Sequence, residues 1–341
     1  MIKQNFKQTG AFGLVALLAV GATWSVVRAR PVRAAPDTPL LKRIVDVTLP
    51  GAPTRFDYQS YNPVNGRLYI SHMDAGRLVV FDTRTNKVVA NLRGFPEVTG
   101  VLVVPSLGLV YASVTGNHEV IVVDEKTLAI VARVPGIEFP DGIAYAPKQN
   151  KIFVSDESGG GEMVIDAATN HKIALIDLGG EAGNTQYDPT SRHIFVAVQT
   201  RDQMVEIDPQ TDSIISRYDL PGSDHPHGFT IDAHTRQMFV SCEGNAKLLV
   251  VDMRTMRVTS IHTVGDGPDV LAFDPNIHRL YVSAESGNVT IFDEQGTGLR
   301  KVGALYAPHA HTICVVPATG RVYFPLEDID GKPVLRIMAE E

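Results

Sequence analysis

An all-β fold, a seven-bladed β-propeller of four-stranded antiparallel blades, is what this sequence predicts, and three recurrences predict it. First, an aromatic residue returns at Tyr69, Tyr111, Phe153, Phe195, Phe239, Tyr281 and Tyr323, with steps of 42 residues and a single step of 44. Second, an aspartate follows each of the first six aromatics, at Asp82, Asp124, Asp166, Asp208, Asp252 and Asp293, commonly with Thr three residues on, as in Asp82 and Thr85. Asp and Thr at that spacing turn the chain through side-chain to backbone hydrogen bonds, so this marker is structural. Third, the segments between are short, apolar or alternating, and bounded by Gly, Asn, Thr and Asp. In the copy from His225 to Asp252 they read as three strands: Gly228 to Ile231, a second ending Met238-Phe239-Val240-Ser241, and Leu248 to Val251 closed by Asp252. Seven copies of a unit of this length make a closed ring of blades.

Taken in order, the chain begins with residues 1–34, which carry Lys3 and Lys7, the apolar run from Ala11 to Val27, and a small residue at Ala34 before Ala35-Pro36. That is the pattern of a secretory signal peptide, and it predicts a periplasmic or secreted protein with no membrane association after cleavage. The arginines at 28, 30 and 33 leave an uncleaved N-terminal anchor as the alternative. Residues 35–42 read as a linker and 43–341 as a single propeller domain. Arg43 to Leu49 resembles the fourth strands Lys87 to Leu92 and Lys172 to Leu178, whereas the last repeat runs out after a third strand at Val334 to Met338. The N-terminal strand is therefore predicted to complete the last blade and close the ring, removing two exposed sheet edges.

Composition narrows the function classes. Without the leader, 26 Lys+Arg face 38 Asp+Glu, a net charge of −12, and a phosphate backbone demands the opposite sign, so nucleic acid is not an expected partner. The two cysteines, Cys242 and Cys314, fall at different positions of different repeats and predict no obligatory disulfide. No CxxC, phosphate-binding glycine loop or GxSxG elbow is present.

The phrases Tyr69-Ile70-Ser71, Phe153-Val154-Ser155 and Tyr281-Val282-Ser283, with the V-x-D and D-x-x-T elements that follow the first two, resemble the YVTN/YncE-type propeller repeat over about residues 43–338. The resemblance implies the propeller fold. For function it implies a range, from ligand-binding proteins to lactonases, lyases and dehydrogenase subunits. Some members have been linked to DNA, which the acidic balance here opposes.

Propeller geometry says where blades can differ usefully. The inner strand of each blade starts on the same face as the loop between its second and third strands, so both converge on one mouth of the central channel. Twelve residues before each aromatic stand Asp57, Thr99, Asp141, Gly183, His227, Asp269 and His311, a ring with three carboxylates and two imidazoles. Two residues earlier come Arg55, Glu97, Phe139, Glu181, His225, Gly267 and His309, so the fifth and seventh blades each carry His-x-His. Four residues after the aromatics the loops add Glu157, Glu243, Glu285 and Glu327, with His72, Asp156 and Cys242 one position before.

His-x-His puts both imidazoles on one side of an extended chain, a chelating spacing. Its pairs predict a metal site of His227, His311, His309 and Asp269 for Cu, Zn or Fe, while the carboxylates alone suit Ca or Mg. Asp57, Asp141, His225, Glu157, Glu243 and Glu285 are the expected ligand-binding residues. A structural role stands beside this one: Asp or His caps the tight turn of Pro-Asp-Gly or Pro-His-Gly, and the Gly admits close approach near the axis. Three functions fit. The chain is an exported propeller binding a small-molecule, metal or protein ligand at its mouth, or a metal-dependent hydrolase or lyase of lactonase type, or the holder of a copper redox site.

Overall fold

The structure, a computed structural model, describes residues 40–340; the predicted signal segment lies outside the described residues. Seven four-stranded antiparallel sheets form the blades of a β-propeller. Blade 5 is typical: Pro226–Asp232, Gln237–Cys242, Lys247–Asp252 and Arg257–Thr263 follow one another from the axis outward. The second and third strands are apolar on both faces because each blade is sandwiched between two others; Val240, Leu249 and Val250 are fully buried. Fourth strands lie at the perimeter and alternate, with Val89, Ile173 and Ile261 among the exposed residues.

The seventh blade is completed as predicted. Cys314–Val316, Arg321–Ile329 and Lys332–Glu340 are followed across the sheet by Leu41–Thr48, paired from Leu41 opposite Glu340 to Thr48 opposite Val334 with a shift of register between Arg43 and Val45. Asp46 accepts two hydrogen bonds from the Arg336 guanidinium, at 2.9 and 2.8 Å, which fixes that register across nearly the whole chain. The strand starts at Leu41, two residues before the predicted domain boundary at 43.

The recurring aspartates make the predicted turns. Asp82 Oδ1 accepts the backbone N–H groups of Arg84 (2.8 Å) and Thr85 (3.3 Å), and Asp252 Oδ1 that of Arg254 (2.9 Å). Asp293 departs from the pattern. Its strand, Asn288–Gln295, runs on past it, and its carboxylate binds Arg279 and Arg300 instead, at 2.9 Å each.

Two smaller repeats fix the inner strands to one another. The serine two residues after the aromatic reaches into the following blade: Ser113 donates to the Asp141 carbonyl (2.7 Å) and Ser241 to the Asp269 carbonyl (2.9 Å). Glycine makes this approach possible, since a Cβ on Gly100 or Gly228 would lie 1.8 Å from the same two carbonyl oxygens. Both devices hold the backbone of the mouth residues, and so leave their side chains free to face the channel.

Candidate functional site

The mouth is assembled by a hydrogen bond that recurs blade after blade. The backbone N–H four residues after the aromatic donates to the carbonyl fourteen residues before it, from Glu157 to Phe139 (2.9 Å), Gln199 to Glu181 (2.8 Å), Glu243 to His225 (3.0 Å) and Glu285 to Gly267 (2.8 Å). Each loop is thereby clamped beside the start of its own inner strand. Rim glutamates and ring residues end up around one opening.

Asp57, Thr99, Asp141, His227, Asp269 and His311 are all buried there. His227 Nε2 lies 3.6 Å from Asp141 Oδ2 and 3.6 Å from Asp269 Oδ1, and His311 Nε2 lies 3.5 Å from Asp269 Oδ2 and 3.6 Å from Asp57 Oδ1. Acid and imidazole thus alternate in the order Asp141, His227, Asp269, His311, Asp57. Their spacings exceed those of N–H···O hydrogen bonds. His227 Nδ1, Asp269 Oδ1 and His311 Nε2 are buried without any hydrogen-bond partner, and native structures rarely leave such groups unpaired.

Charge accumulates accordingly. Burial opposes a positive His227, but Asp269, Glu243, Asp141 and Glu157 outweigh it and push the imidazole up to about 10. His311 is raised in the same way, against burial, by Asp57 and Asp269. Burial drives the Asp141 carboxyl well above the carboxylate range, with His227 pulling it back, and raises Asp269 too. All four shifts favour the protonated forms.

Tyr58 forms the floor. Its hydroxyl donates to Asp141 Oδ2 (3.3 Å), sits 3.4 Å from His227 Nε2, and is raised well above its ordinary value by burial and then by Asp141. The same side chain lines both a mouth cavity of about 160 Å³, walled also by Asp57, Asp141, His227, Glu243, Asp269 and Glu285, and a channel of about 690 Å³ lined by Leu102, Ile143, Tyr145, Phe229 and Phe273. Sequence reasoning missed Tyr58. The signal was present, because the position after the mouth residue holds Tyr58 in the first blade and Gly, Asn, Val or Thr in the others.

The rim glutamates differ in how free they are. Glu157 accepts a hydrogen bond from Gln199 Nε2 (2.9 Å); Glu243 lies 3.9 Å from His227 Nδ1; Glu285 lies 3.6 Å from His311 Nδ1 and pairs with Arg55 at 2.8 Å. One ligand atom each from His227, Glu243 and Asp269 lies within 4.8 Å of the others, and the same holds for Asp269, Glu285 and His311.

His225 and His309 do not join them. Both are left-handed, with φ of 54°, which breaks the alternation that would have put them on the side of His227 and His311. Their side chains are 52% and 61% exposed, His225 pairing with Asp224 at 2.8 Å and His309 with Glu327 at 3.7 Å. The expected His-x-His chelates are therefore corrected: only the second histidine of each pair faces the channel. The loop residues Asp156 and His72 are structural, Asp156 accepting the N–H groups of Glu138, Phe139 and Gly159, and His72 stacking on Phe56 with ring centroids 3.9 Å apart. Cys242 is buried in an apolar cluster, which pushes its thiol up to about 12, and both cysteines are free.

No protein-family model matches the chain, and no characterised protein sequence matches it. Among solved structures it is similar to Kuenenia stuttgartiensis hydrazine synthase, at 16% identity and a TM-score of 0.72 over 86% of this chain and 97% of that one. It is also similar to the WD40 repeats of RRP9, at 7% identity and a TM-score of 0.74 over 87% and 97%, and to a chain of a mitotic checkpoint complex, at 11% and 0.74 over 98% and 99%. At such identities the likeness is one of fold. The class is settled by blades and neighbours together: a seven-bladed β-propeller with a buried Asp/His mouth.

Proposed function

We propose that this chain is an exported, YVTN/YncE-like propeller that binds a divalent metal ion at its mouth and, with it, a small-molecule or protein ligand. One observation carries the reading: two imidazoles and three carboxylates are buried together at separations too long for hydrogen bonds, Asp57, Asp141, His227 and Asp269 lining a small cavity and His311 behind them, with Asp269 Oδ1 and His311 Nε2 unpartnered. Two donors each about 2.1 Å from one tetrahedral ion stand about 3.4 Å apart, close to the 3.5 and 3.6 Å found between these nitrogens and oxygens. Mixed imidazole and carboxylate donors suit Zn²⁺, Mn²⁺, Fe²⁺ or Cu²⁺ better than Ca²⁺ or Mg²⁺. The signal-like residues 1–34 and the acidic balance support export and argue against nucleic acid. The serine-bearing aromatic strands support the YVTN/YncE likeness. That the checkpoint-complex neighbour belongs to an assembly is in keeping with a protein partner in general terms.

Elemental analysis of the purified protein, with calorimetric titration after chelator treatment, tests this. Stoichiometric metal is expected, and Ala at both His227 and His311 should abolish it with little loss of stability. A protein that takes up no divalent ion, or a double variant that keeps it, sinks the reading. Hydrolase or lyase chemistry and copper redox chemistry would each build on this ion, so stoichiometric zinc or copper also chooses between them.

A further inference from the structure

We propose that the mouth holds two metal ions bridged by Asp269, one taking His227 and Glu243 and the other His311 and Glu285; this rests on the metal-binding reading above. The ring is not a single nest of donors but two sets sharing one member, each with one imidazole, one rim glutamate and Asp269. Asp269 faces both ways: Oδ1 lies 3.6 Å from His227 Nε2, Oδ2 lies 3.5 Å from His311 Nε2. A carboxylate presenting one oxygen to each of two donor sets is how two ions are held about 3.5–4 Å apart. Its side chain and that of His311 are 7% and 2% exposed, and Asp269 Oδ1 and His311 Nε2 have no partner.

Carboxylate donors are not limiting for two ions: Asp57, Asp141, Glu157, Glu243, Asp269 and Glu285 all line the cavity, beside a single guanidinium, Arg55. Distance alone does not make the case, because Asp232, His278 and Glu294 at the other end of the fold meet the same spacing. There Glu294 Oε1 already accepts from Thr235 Oγ1 (2.7 Å) and Gln237 Nε2 (2.6 Å), while Oε2 pairs with His278 (3.0 Å). Among the described residues, none of Asp232, His278 and Glu294 has an orphaned side-chain atom, and the one unpartnered acceptor beside them, the Gln237 amide oxygen, belongs to a side chain that already donates to Glu294.

The two halves are unequal. Arg55 sits on Glu285 at 2.8 Å, so the ion beside His311 competes with a resident guanidinium, whereas Glu243 has no such partner. Loading is therefore stepwise, with the His227 half filled first.

Calorimetric titration of the chelator-stripped, purified chain with Zn²⁺, checked by elemental analysis, tests this directly. Two ions per chain are expected, in a tighter and a weaker step. Glu243→Gln should leave one ion and remove the tighter step; Glu285→Gln should leave one ion and keep it. Both glutamates are at the rim, and circular dichroism melting checks that the variants are folded. Arg55→Gln should tighten the weaker step about tenfold, and an unchanged step overturns the competition. One ion per chain, lost equally on substituting either glutamate, overturns the bridged pair while leaving metal binding intact; no ion at all overturns both. The wild-type count decides even if a variant fails to fold.

Discussion

The two ends of the propeller channel both bury acidic side chains, and they treat them in opposite ways. At the end away from the mouth, Asp188 is wholly buried yet accepts two hydrogen bonds from Arg236, at 2.7 and 2.8 Å, and more from Thr190 and Ser191. Glu125 there ties Asn62 (2.5 Å) and Asn65 (2.7 Å) of the preceding blade to its own. At the mouth, Asp269 and Asp141 are buried too, but Asp269 meets only imidazoles, 3.5 and 3.6 Å away, and Asp141 one imidazole at 3.6 Å and the Tyr58 hydroxyl, which donates at 3.3 Å. A carboxylate saturated by its own fold works as a fastener between blades. One left unsaturated, at the cost of desolvation, is where an outside group belongs.

The sharpest way to break that contrast is at the fastened end. Arg236→Ala leaves Asp188 charged and buried with its main donor gone, and should destabilise the protein by about 3–5 kcal/mol in urea unfolding. A loss below about 1 kcal/mol would mean the far-end acids are no better satisfied than those at the mouth. The mouth should respond to metal instead of to truncation. Zn²⁺ at a hundredfold excess over its Kd adds about 2.7 kcal/mol to the stability of a one-site protein. Asp269→Asn should abolish that gain while leaving the metal-free stability near or above wild type; a large metal-free loss would make Asp269 a fastener too.

Glu162 tests the same distinction away from both ends. It is fully buried, neither carboxyl oxygen has a partner, and it occupies a strand position that other blades fill with Leu78, Val120, Met204 and Leu248. Burial drives its carboxyl well above the ordinary value of 4.5, so the fold binds this proton more tightly than the unfolded chain does. Its contribution is thus most favourable below pH 4.5 and is lost as pH rises through the elevated folded value. Glu162→Leu should flatten that decline and stabilise the protein by about 1–3 kcal/mol at pH 7. Unfolding curves at several pH values check both, and an unchanged slope would show that Glu162 is satisfied by water.

These differences were unevenly legible in the sequence. The blades were, because Tyr69 and its six counterparts recur in every blade and the Asp turns and serines in most of them, and counting back twelve residues reached Asp57, Thr99, Asp141, His227, Asp269 and His311 at the mouth. Charge type at the mouth was readable for the same reason. Which neighbours face inward was not. His225 and His309 sit in a left-handed conformation that Glu97 and Gly267 share in other blades, so no residue type announces the turn. Tyr58 went unread because counting back from the aromatics picks out position 57 and passes over its neighbour; Asp293 looked like a turn because arginines at 279 and 300 do not reveal their pairing in one dimension.

The smallest expected effect bears most directly on the outer histidines. His225 and His309 have φ of 54°, and their side chains lie in solvent beside Asp224 and Glu327. Glycine accepts that conformation without the strain an L side chain carries, offset by greater unfolded-chain entropy, so His225→Gly with His309→Gly should change stability by under about 1 kcal/mol. Since neither imidazole faces Asp269, the ion count should be unaltered. Were the double variant to lose its metal while melting normally, the chelate would be the His-x-His pair after all, and the inner ring of His227, Asp269 and His311 would be only its support. Retained metal would leave His227, Asp269 and His311 with the rim glutamates Glu243 and Glu285 as the donors, and the outer histidines without a part in binding.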